Sequence, residues 1–294
     1  MLENPIVLAL FAAFVFGLAL VLTQFGLRHA LPSHGALVSI PTSTILLWLL
    51  APFLLAWRDF DPRAVGIFAG VGLLFPAIVT LLTFEANRRM GPSMSGALSN
   101  LTPIFAVVPA ALFLGEVPRA LQSLGIATII AGVVTLSIDR RWLGVPWSYW
   151  AAALPLGAAA VRGVTHPITK LGLALWPSPF AATLIGYTMS GLMVACVAWA
   201  RGGWPAKYPP AALAWFACVG TCNVLGVLAL YAALARGPVI LVSPLVATYP
   251  LVTLAFSAIL FHSARISVTL LAGVALAVAG VALAVAGVIL LVAA

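Results

Sequence analysis

Charge is what this chain lacks most. Only 7% of its 294 residues are charged, whereas 64% are hydrophobic; soluble domains average about 25% and about 45–50%. This composition excludes an ordinary soluble protein and indicates an integral membrane protein. Because a helix needs about 20 apolar residues to cross the hydrocarbon, we expect about ten spans with short loops and no segment left for a soluble domain.

Acidic residues are especially few. The six are Glu3, Asp59, Asp61, Glu85, Glu116 and Asp139. All except Glu85 fall at termini or turns, and we expect Glu116 to fix its short turn beside exposed helix-end donors. Glu85 falls at the end of the third apolar segment. It is therefore the one plausible acid for proton coupling; the alternative is an interfacial ion pair with Arg88 or Arg89.

The groups that most catalytic sites require are also missing. The three cysteines lie inside apolar segments without an acidic or histidine neighbour, which favours packed free thiols over a metal or redox site. No GxxxxGK[ST] loop is present, so ATP does not drive the protein directly. The midplane offers no paired carboxylates and no nucleophile with its base. We expect no enzyme activity, no catalytic residue, no metal and no cofactor.

Ten apolar segments are what the chain does contain. They cover roughly 5–27, 36–57, 64–85, 92–114, 119–138, 149–171, 179–200, 211–235, 239–261 and 266–293. The N-terminus lacks the basic region of a cleavable signal, so the first segment should stay as a span. The basic residues, which give a formal net charge of +8, are scattered between the segments. Anionic lipid headgroups, not nucleic acid, are their expected partner.

One stretch recurs and sets the architecture. The pattern of 91–132 returns at 237–280, about 147 residues later, with Pro250 in the place of Pro103. The chain is therefore predicted to be all-α, with ten transmembrane helices in two five-helix repeats, 1–145 and 146–294, that share one transmembrane domain. Because five is odd, the second repeat enters the membrane from the opposite side. Pro103 and Pro250 are the predicted hinges.

Several motifs carry a family resemblance. The first half has Gly91-Pro92-Ser93, Pro103, Leu114-Gly115-Glu116, Gly125 and Gly132. The second half has Tyr231-Ala232-Ala233-Leu234, Gly237-Pro238, Pro250, Gly273 and Gly280. In this order the chain resembles the drug/metabolite transporter superfamily, specifically its ten-span EamA-type members. His262-Ser263 replaces the Gly-Glu expected at the end of span 9, and Phe16 replaces a frequent tryptophan.

The resemblance implies location and direction. It implies a multi-pass protein of the cell (inner) membrane, both termini in the cytoplasm, a central cavity lined by spans 1, 3, 4, 6, 8 and 9, and outward movement of small metabolites. The charge distribution points mildly the other way. Eight Lys or Arg residues follow the odd-numbered spans and five follow the even-numbered ones, which favours termini outside. We follow the family.

One arginine is predicted to lie inside a span. A charge near the bilayer centre costs at least about 2.5–3.5 kcal/mol, so it usually faces a cavity or a partner. Helical spacing places Arg162, Thr165, His166 and Thr169 on one face. A guanidinium can hold a carboxylate or phosphate through two hydrogen bonds, which points to an anionic or zwitterionic substrate. Alternatively, Arg162 pairs with Glu85 or helix carbonyls and locks two helices.

The first half lacks this polar stripe. With Gly17 aligned on Gly157, span 1 has Leu22, Phe25 and Gly26 opposite Arg162, Thr165 and His166. His166 is itself open between an interface histidine, a substrate ligand and a pH-sensitive gate. Four further polar residues fall near the expected midplane and complete the candidate binding set: Ser99, Asn100, Asn223 and Tyr249.

The resulting prediction is a secondary transporter, expected to export a small polar or amphipathic metabolite by alternating access. Amino acids or related carboxylates are the first expectation. The alternatives are a multidrug or cationic-compound exporter of the same fold and, from another class, a membrane-embedded enzyme or a passive channel. Besides the substrate, membrane lipids are the expected partners. Glycines in span 10 favour packing against span 5; a homodimer through this surface stays open, with a monomer favoured.

Overall fold

The computed structural model describes residues 4–99, 101–138, 149–200 and 207–261, with isolated helical residues between 272 and 286. Its helices are α1 (Pro5–Leu27), α2 (Pro32–Leu54), α3 (Pro62–Leu74), α4 (Ala77–Ser99), α5 (Thr102–Leu114), α6 (Ala120–Ile138), α7 (Ala153–Leu175), α8 (Pro179–Ala200), α9 (Pro210–Arg236), α10 (Val239–Val246) and α11 (Tyr249–Phe261). Across these ranges the protein is all-helical, as predicted.

Proline marks the start of many helices. Its fixed φ suits the first turn, where its missing N–H would have no partner in the helix. The Asn4 side chain caps α1 and that of Asp61 caps α3, each by accepting a backbone N–H. The second span was predicted to begin at residue 36, but α2 begins at Pro32 for this reason.

Both prolines predicted as hinges lie at helix interruptions. Helix α4 ends at Ser99 and α5 begins at Thr102, with Pro103 in its first turn. In the second half α10 ends at Val246 and α11 begins at Tyr249, followed by Pro250. The two broken helices are therefore interrupted at equivalent places.

A third interruption was not predicted. The third segment is divided at Phe75-Pro76, where α3 ends and α4 begins, whereas the sequence reading made it continuous over 64–85. Ser190 of α8 satisfies the free backbone groups, because its hydroxyl accepts from the Ala77 N–H at 3.1 Å and donates to the Gly72 carbonyl. Pro76 was the available signal. A broken helix at membrane depth needs such a partner.

Two glycines make the sharp turns of the first half. Gly91 has a φ of 79° inside α4 and divides it where the third predicted span ends and the fourth begins. Gly115 has a φ of 66° and caps α5, with its N–H and that of Glu116 donating to Ala111 and Ala110. Only glycine adopts this left-handed backbone at little cost.

Close glycine contacts relate the two halves. A Cβ at Gly17 of α1 would lie 2.7 Å from Val252 Cβ of α11, and one at Gly163 of α7 would lie 2.4 Å from Phe105 Cβ of α5. Val252 and Phe105 each follow the hinge proline by two residues. Gly17 therefore corresponds to Gly163, and the alignment on Gly157 was wrong by about two turns.

The corrected alignment changes which α1 residues stand opposite the polar residues of α7. Phe16, Ala19 and Leu20 now stand opposite Arg162, Thr165 and His166, replacing Leu22, Phe25 and Gly26. Thr23 now stands opposite Thr169, so that one hydroxyl occurs in both halves, whereas the arginine and the histidine occur only in the second.

The surface suits a bilayer. Six helices among the described residues are long and apolar enough to cross it, and large apolar side chains such as Phe53 and Leu112 are exposed. The cysteines are free, but Cys196 and Cys218 are exposed on this surface instead of packed. Few of the residues of the predicted tenth span are described.

Candidate functional site

A cavity of about 70 Å³ lies between the two halves. Since one water molecule needs roughly 10–15 Å³ of such volume, the cavity accommodates a few water molecules or a small solute. Its walls come from α1, α4, α5, α7, α8, α9, α10 and α11 and from the interruptions at Phe75-Pro76 and Ala247. The lining residues are Phe16, Ala19, Leu20, Thr23, Phe75, Pro76, Val79, Thr80, Thr83, Phe84, Thr102, Arg162, His166, Tyr187, Asn223, Val227, Leu230, Ser243, Val246, Ala247 and Tyr249.

Arg162 lines this cavity with few partners. One guanidinium nitrogen donates to the Tyr249 hydroxyl at 3.4 Å and another to Thr83 Oγ1 at 3.2 Å. The guanidinium carbon lies 5.9 Å from the centre of the Tyr249 ring. The ion pairs among the described residues involve other side chains. Arg162 is therefore a half-buried cation whose described protein partners are neutral hydroxyls, and the pair with Glu85, considered as the alternative, does not form, since Glu85 pairs with Arg88 and Arg89.

The predicted stripe on α7 divides in two. Arg162 and His166 line the cavity, whereas Thr165 and Thr169 are buried, each 1% exposed, and do not line it. The Thr165 hydroxyl donates to the Arg162 carbonyl at 3.1 Å, which uses it within its own helix. His166 is 2% exposed, and both of its ring nitrogens lack a partner among the described residues.

The remaining predicted binding residues also divide. Asn223 of α9 and Tyr249 of α11 line the cavity. The Tyr249 hydroxyl donates to the Gly96 carbonyl at 3.2 Å, which ties α11 to α4. Ser99 is fully buried at the end of α4 but does not line the cavity. Asn100 lies outside the described residues.

Glu85 lies away from the cavity lining and is tied to its own helix. Its carboxylate accepts hydrogen bonds from Arg88, at 2.6 Å, and from Arg89. The side chains of the two arginines are about half exposed. Of the two readings of Glu85, this contact set matches the interfacial ion pair. Exposed pairs of this kind add little to stability.

An ion pair that sequence reasoning missed joins both halves. Lys170 Nζ donates to Glu116 Oε1 at 2.7 Å and to the Gly237 carbonyl at 2.7 Å. Glu116 Oε2 in turn accepts the Ile240 N–H at 3.2 Å, at the N-terminus of α10. Glu116 was expected to fix its own turn, but its carboxylate instead caps a helix of the other half. We call this set, Lys170 with Glu116, Gly237 and Ile240, the Lys170 bridge.

The Lys170 bridge lies at one end of the bundle. A Cβ at Gly237 would lie 2.8 Å from Pro5, so the start of α1 is at the same end. The α1 residues that line the cavity run from Phe16 to Thr23, in the half of the helix farther from that end. The cavity therefore lies between the midplane and the end opposite the Lys170 bridge.

The rest of the lining is mostly apolar and was largely missed. Phe75, Phe84, Val79 and Leu230 form much of the wall. Thr80 and Thr83, three residues apart on α4, and Ser243 add hydroxyls. The sequence signals for these three are that Ser243 is adjacent to Pro244 and that Thr80 and Thr83 follow Pro76 by four and seven residues, about one and two helical turns. No described lining residue is acidic.

Comparison with known proteins agrees with this architecture. The model of the EamA-like transporter family matches residues 4–138 and again 149–286. One solved structure, titled only as the crystal structure of a protein, superposes with a TM-score of 0.72 at 19% identity and covers 95% of this chain and 96% of its own. At that identity it supports the fold alone. No curated protein matches the chain.

Proposed function

We propose that this protein is a secondary transporter that exports a small amphipathic carboxylate. The premise is that the chain belongs to the EamA-like transporter family of the drug/metabolite transporter superfamily. The observation that carries the proposal is Arg162, a half-buried cation on the cavity wall whose only described partners are two hydroxyls. A carboxylate would accept the guanidinium's remaining N–H groups in a two-point pair. Amino acids and related acids fit this requirement.

Alternating access would use the two broken helices. We place ten spans in two inverted repeats, 1–145 and 146–294, with hinges at Pro103 and Pro250. The protein is placed in the cell (inner) membrane with both termini in the cytoplasm. In that orientation the Lys170 bridge is cytoplasmic and the cavity lies toward the outside. Export then requires the bridge to open, so that the cavity can load from the cytoplasm.

The lining argues against the cationic-compound alternative. Recognition of a cationic drug would favour an acidic or purely aromatic wall, whereas the described lining has one full charge, that of Arg162.

A channel, the alternative from another class, would conduct without saturation. Counterflow of a labelled solute separates a carrier from a channel, because only a carrier exchanges solute across the membrane against an unlabelled pool.

The test is counterflow in proteoliposomes. Carboxylates, their methyl esters and cationic drugs serve as competing solutes. We expect carboxylates to exchange and Arg162→Ala to abolish that exchange, while Arg236→Ala, which removes an exposed arginine bonded to its own helix, leaves it unchanged. Carboxylate exchange that survives Arg162→Ala in folded protein, or exchange of cationic drugs alone, contradicts the proposal.

A further inference from the structure

Three buried polar side chains on the cavity wall, those of His166, Ser243 and Tyr187, have polar atoms without a hydrogen-bond partner among the described residues, and the first two lie on the second-half helices α7 and α10. His166 is 2% exposed with both ring nitrogens unpaired, and Ser243 is 2% exposed with its hydroxyl unpaired, among the residues that the structure describes. Both line the cavity that contains Arg162. Buried polar groups in folded proteins are nearly always paired. These atoms therefore point to a ligand group that enters the cavity.

Their position relates them to Arg162. His166 follows Arg162 by one helical turn, and residues four apart on a helix have Cβ atoms about 5–6 Å apart. Ser243 comes from α10, on the chain that leads into the interruption before Tyr249. One small solute in this cavity can bind Arg162 through its carboxylate while a neighbouring group of the solute contacts His166 and Ser243.

The chemistry of the wall selects that neighbouring group. A neutral imidazole offers one donor and one acceptor, and a hydroxyl offers both. Arg162 already places a positive charge beside them, and no acidic residue occurs among the described lining residues. A second positive charge, such as an ammonium, would be repelled by Arg162 without an anionic partner. A hydroxyl or a carbonyl oxygen meets the requirement without charge.

We propose that His166 and Ser243 form a second polar subsite for a hydroxyl or oxo group, so that the protein prefers hydroxy and oxo acids to amino acids. The proposal rests on the proposed function, because it requires Arg162 to hold the carboxylate. It narrows the substrate class to acids that carry one neutral hydrogen-bonding group near the carboxylate. Phe16, Phe75 and Phe84 on the same wall suit an apolar remainder.

The experiment compares four acids on one carbon skeleton. The probes are 3-phenylpropanoate and its 2-hydroxy, 2-oxo and 2-amino derivatives, and the measurement is the Kd for the purified full-length protein. The hydroxy and oxo acids should bind about tenfold more tightly than the unsubstituted and amino acids, the size expected for a hydrogen bond in a buried site. Amino-acid binding as tight as hydroxy-acid binding overturns the proposal.

Variants locate the preference. Ser243→Ala and His166→Leu should each lose most of the preference for the hydroxy and oxo acids, whereas the Kd of 3-phenylpropanoate should stay within about twofold. His166→Gln keeps a donor and an acceptor and should retain part of that preference. Ser257→Ala is the matched control, because it removes a buried hydroxyl of α11 that does not line the cavity. If His166→Leu does not fold, Ser243→Ala decides. Equal weakening of all four acids contradicts the subsite.

The result also separates the two proposals. If none of the four acids binds, the carboxylate function fails and the subsite fails with it. If all four bind equally well, Arg162 keeps its role and only the subsite is wrong.

Discussion

Helices α1 and α7 hold equivalent places in the two halves, yet only α7 carries charge. Gly17 and Gly163 make the same close contact with the helix that follows each hinge proline. On that alignment Phe16 stands opposite Arg162, Leu20 opposite His166 and Gln24 opposite Lys170. Phe16 packs on Gly226, where a Cβ would lie 2.6 Å from its ring. Duplication thus supplies the scaffold, and of these two equivalent helices only the second copy carries charged side chains.

The largest expected effect tests the scaffold. Gly17→Val and Gly163→Val should each lower the free energy of unfolding by about 2–3 kcal/mol, because the new side chain meets atoms within 3 Å. Thermal unfolding in detergent measures this. The control is Gly66→Val in α3, where a Cβ would meet nothing within 4 Å. A Gly163 variant as stable as the Gly66 variant would break the proposed equivalence of α1 and α7.

Prediction from sequence succeeded where repetition supplied the signal. The duplicated glycines and prolines identified the repeats and both interruptions, because glycine and proline directly determine which backbone conformations are allowed. The alignment of α1 on α7 failed, since a single glycine cannot fix the register of an apolar helix. Contact with Phe105 and Val252 was needed to correct it.

The candidate site was only partly accessible to sequence reasoning. Arg162 could be selected because a charge inside a span is rare and costly. Its partners Thr83 and Tyr249 lie 79 and 87 residues away, and no local pattern encodes such pairs. The Lys170 bridge was missed for the same reason: Glu116 was assigned to its own turn, whereas its partners come from the other half of the chain.

The second prediction compares Lys170 of α7, which pairs with Glu116, with Gln24 at the equivalent place on α1. A double-mutant cycle of Lys170→Gln and Glu116→Gln should give a coupling of about 1–2 kcal/mol, because both side chains are mostly buried. The measurement is thermal unfolding of the two single variants and the double variant. Gln24→Ala, at the equivalent place on α1, should show no coupling with Glu116→Gln. A coupling indistinguishable from zero for Lys170 would remove the bridge from the account.

The smallest effect concerns the other acid. Glu85→Gln should change the free energy of unfolding by less than about 0.5 kcal/mol, because its pairs with Arg88 and Arg89 are partly exposed. Solute counterflow should be unchanged, because Glu85 does not line the cavity. A loss of counterflow together with its pH dependence would assign Glu85 to proton coupling and would weaken the contrast between α7 and the rest of the protein.

The central claim is that Arg162, and not its counterpart Phe16, recognises a carboxylate. The most direct measurement is the ratio of the Kd values of a carboxylic acid and its primary amide, since the two differ mainly in charge. We expect the wild type and Phe16→Ala to favour the acid by about 30-fold or more, the size of a buried charge pair, and Arg162→Ala to bind both alike. An acid preference that survives Arg162→Ala, or that disappears in Phe16→Ala, would contradict the claim.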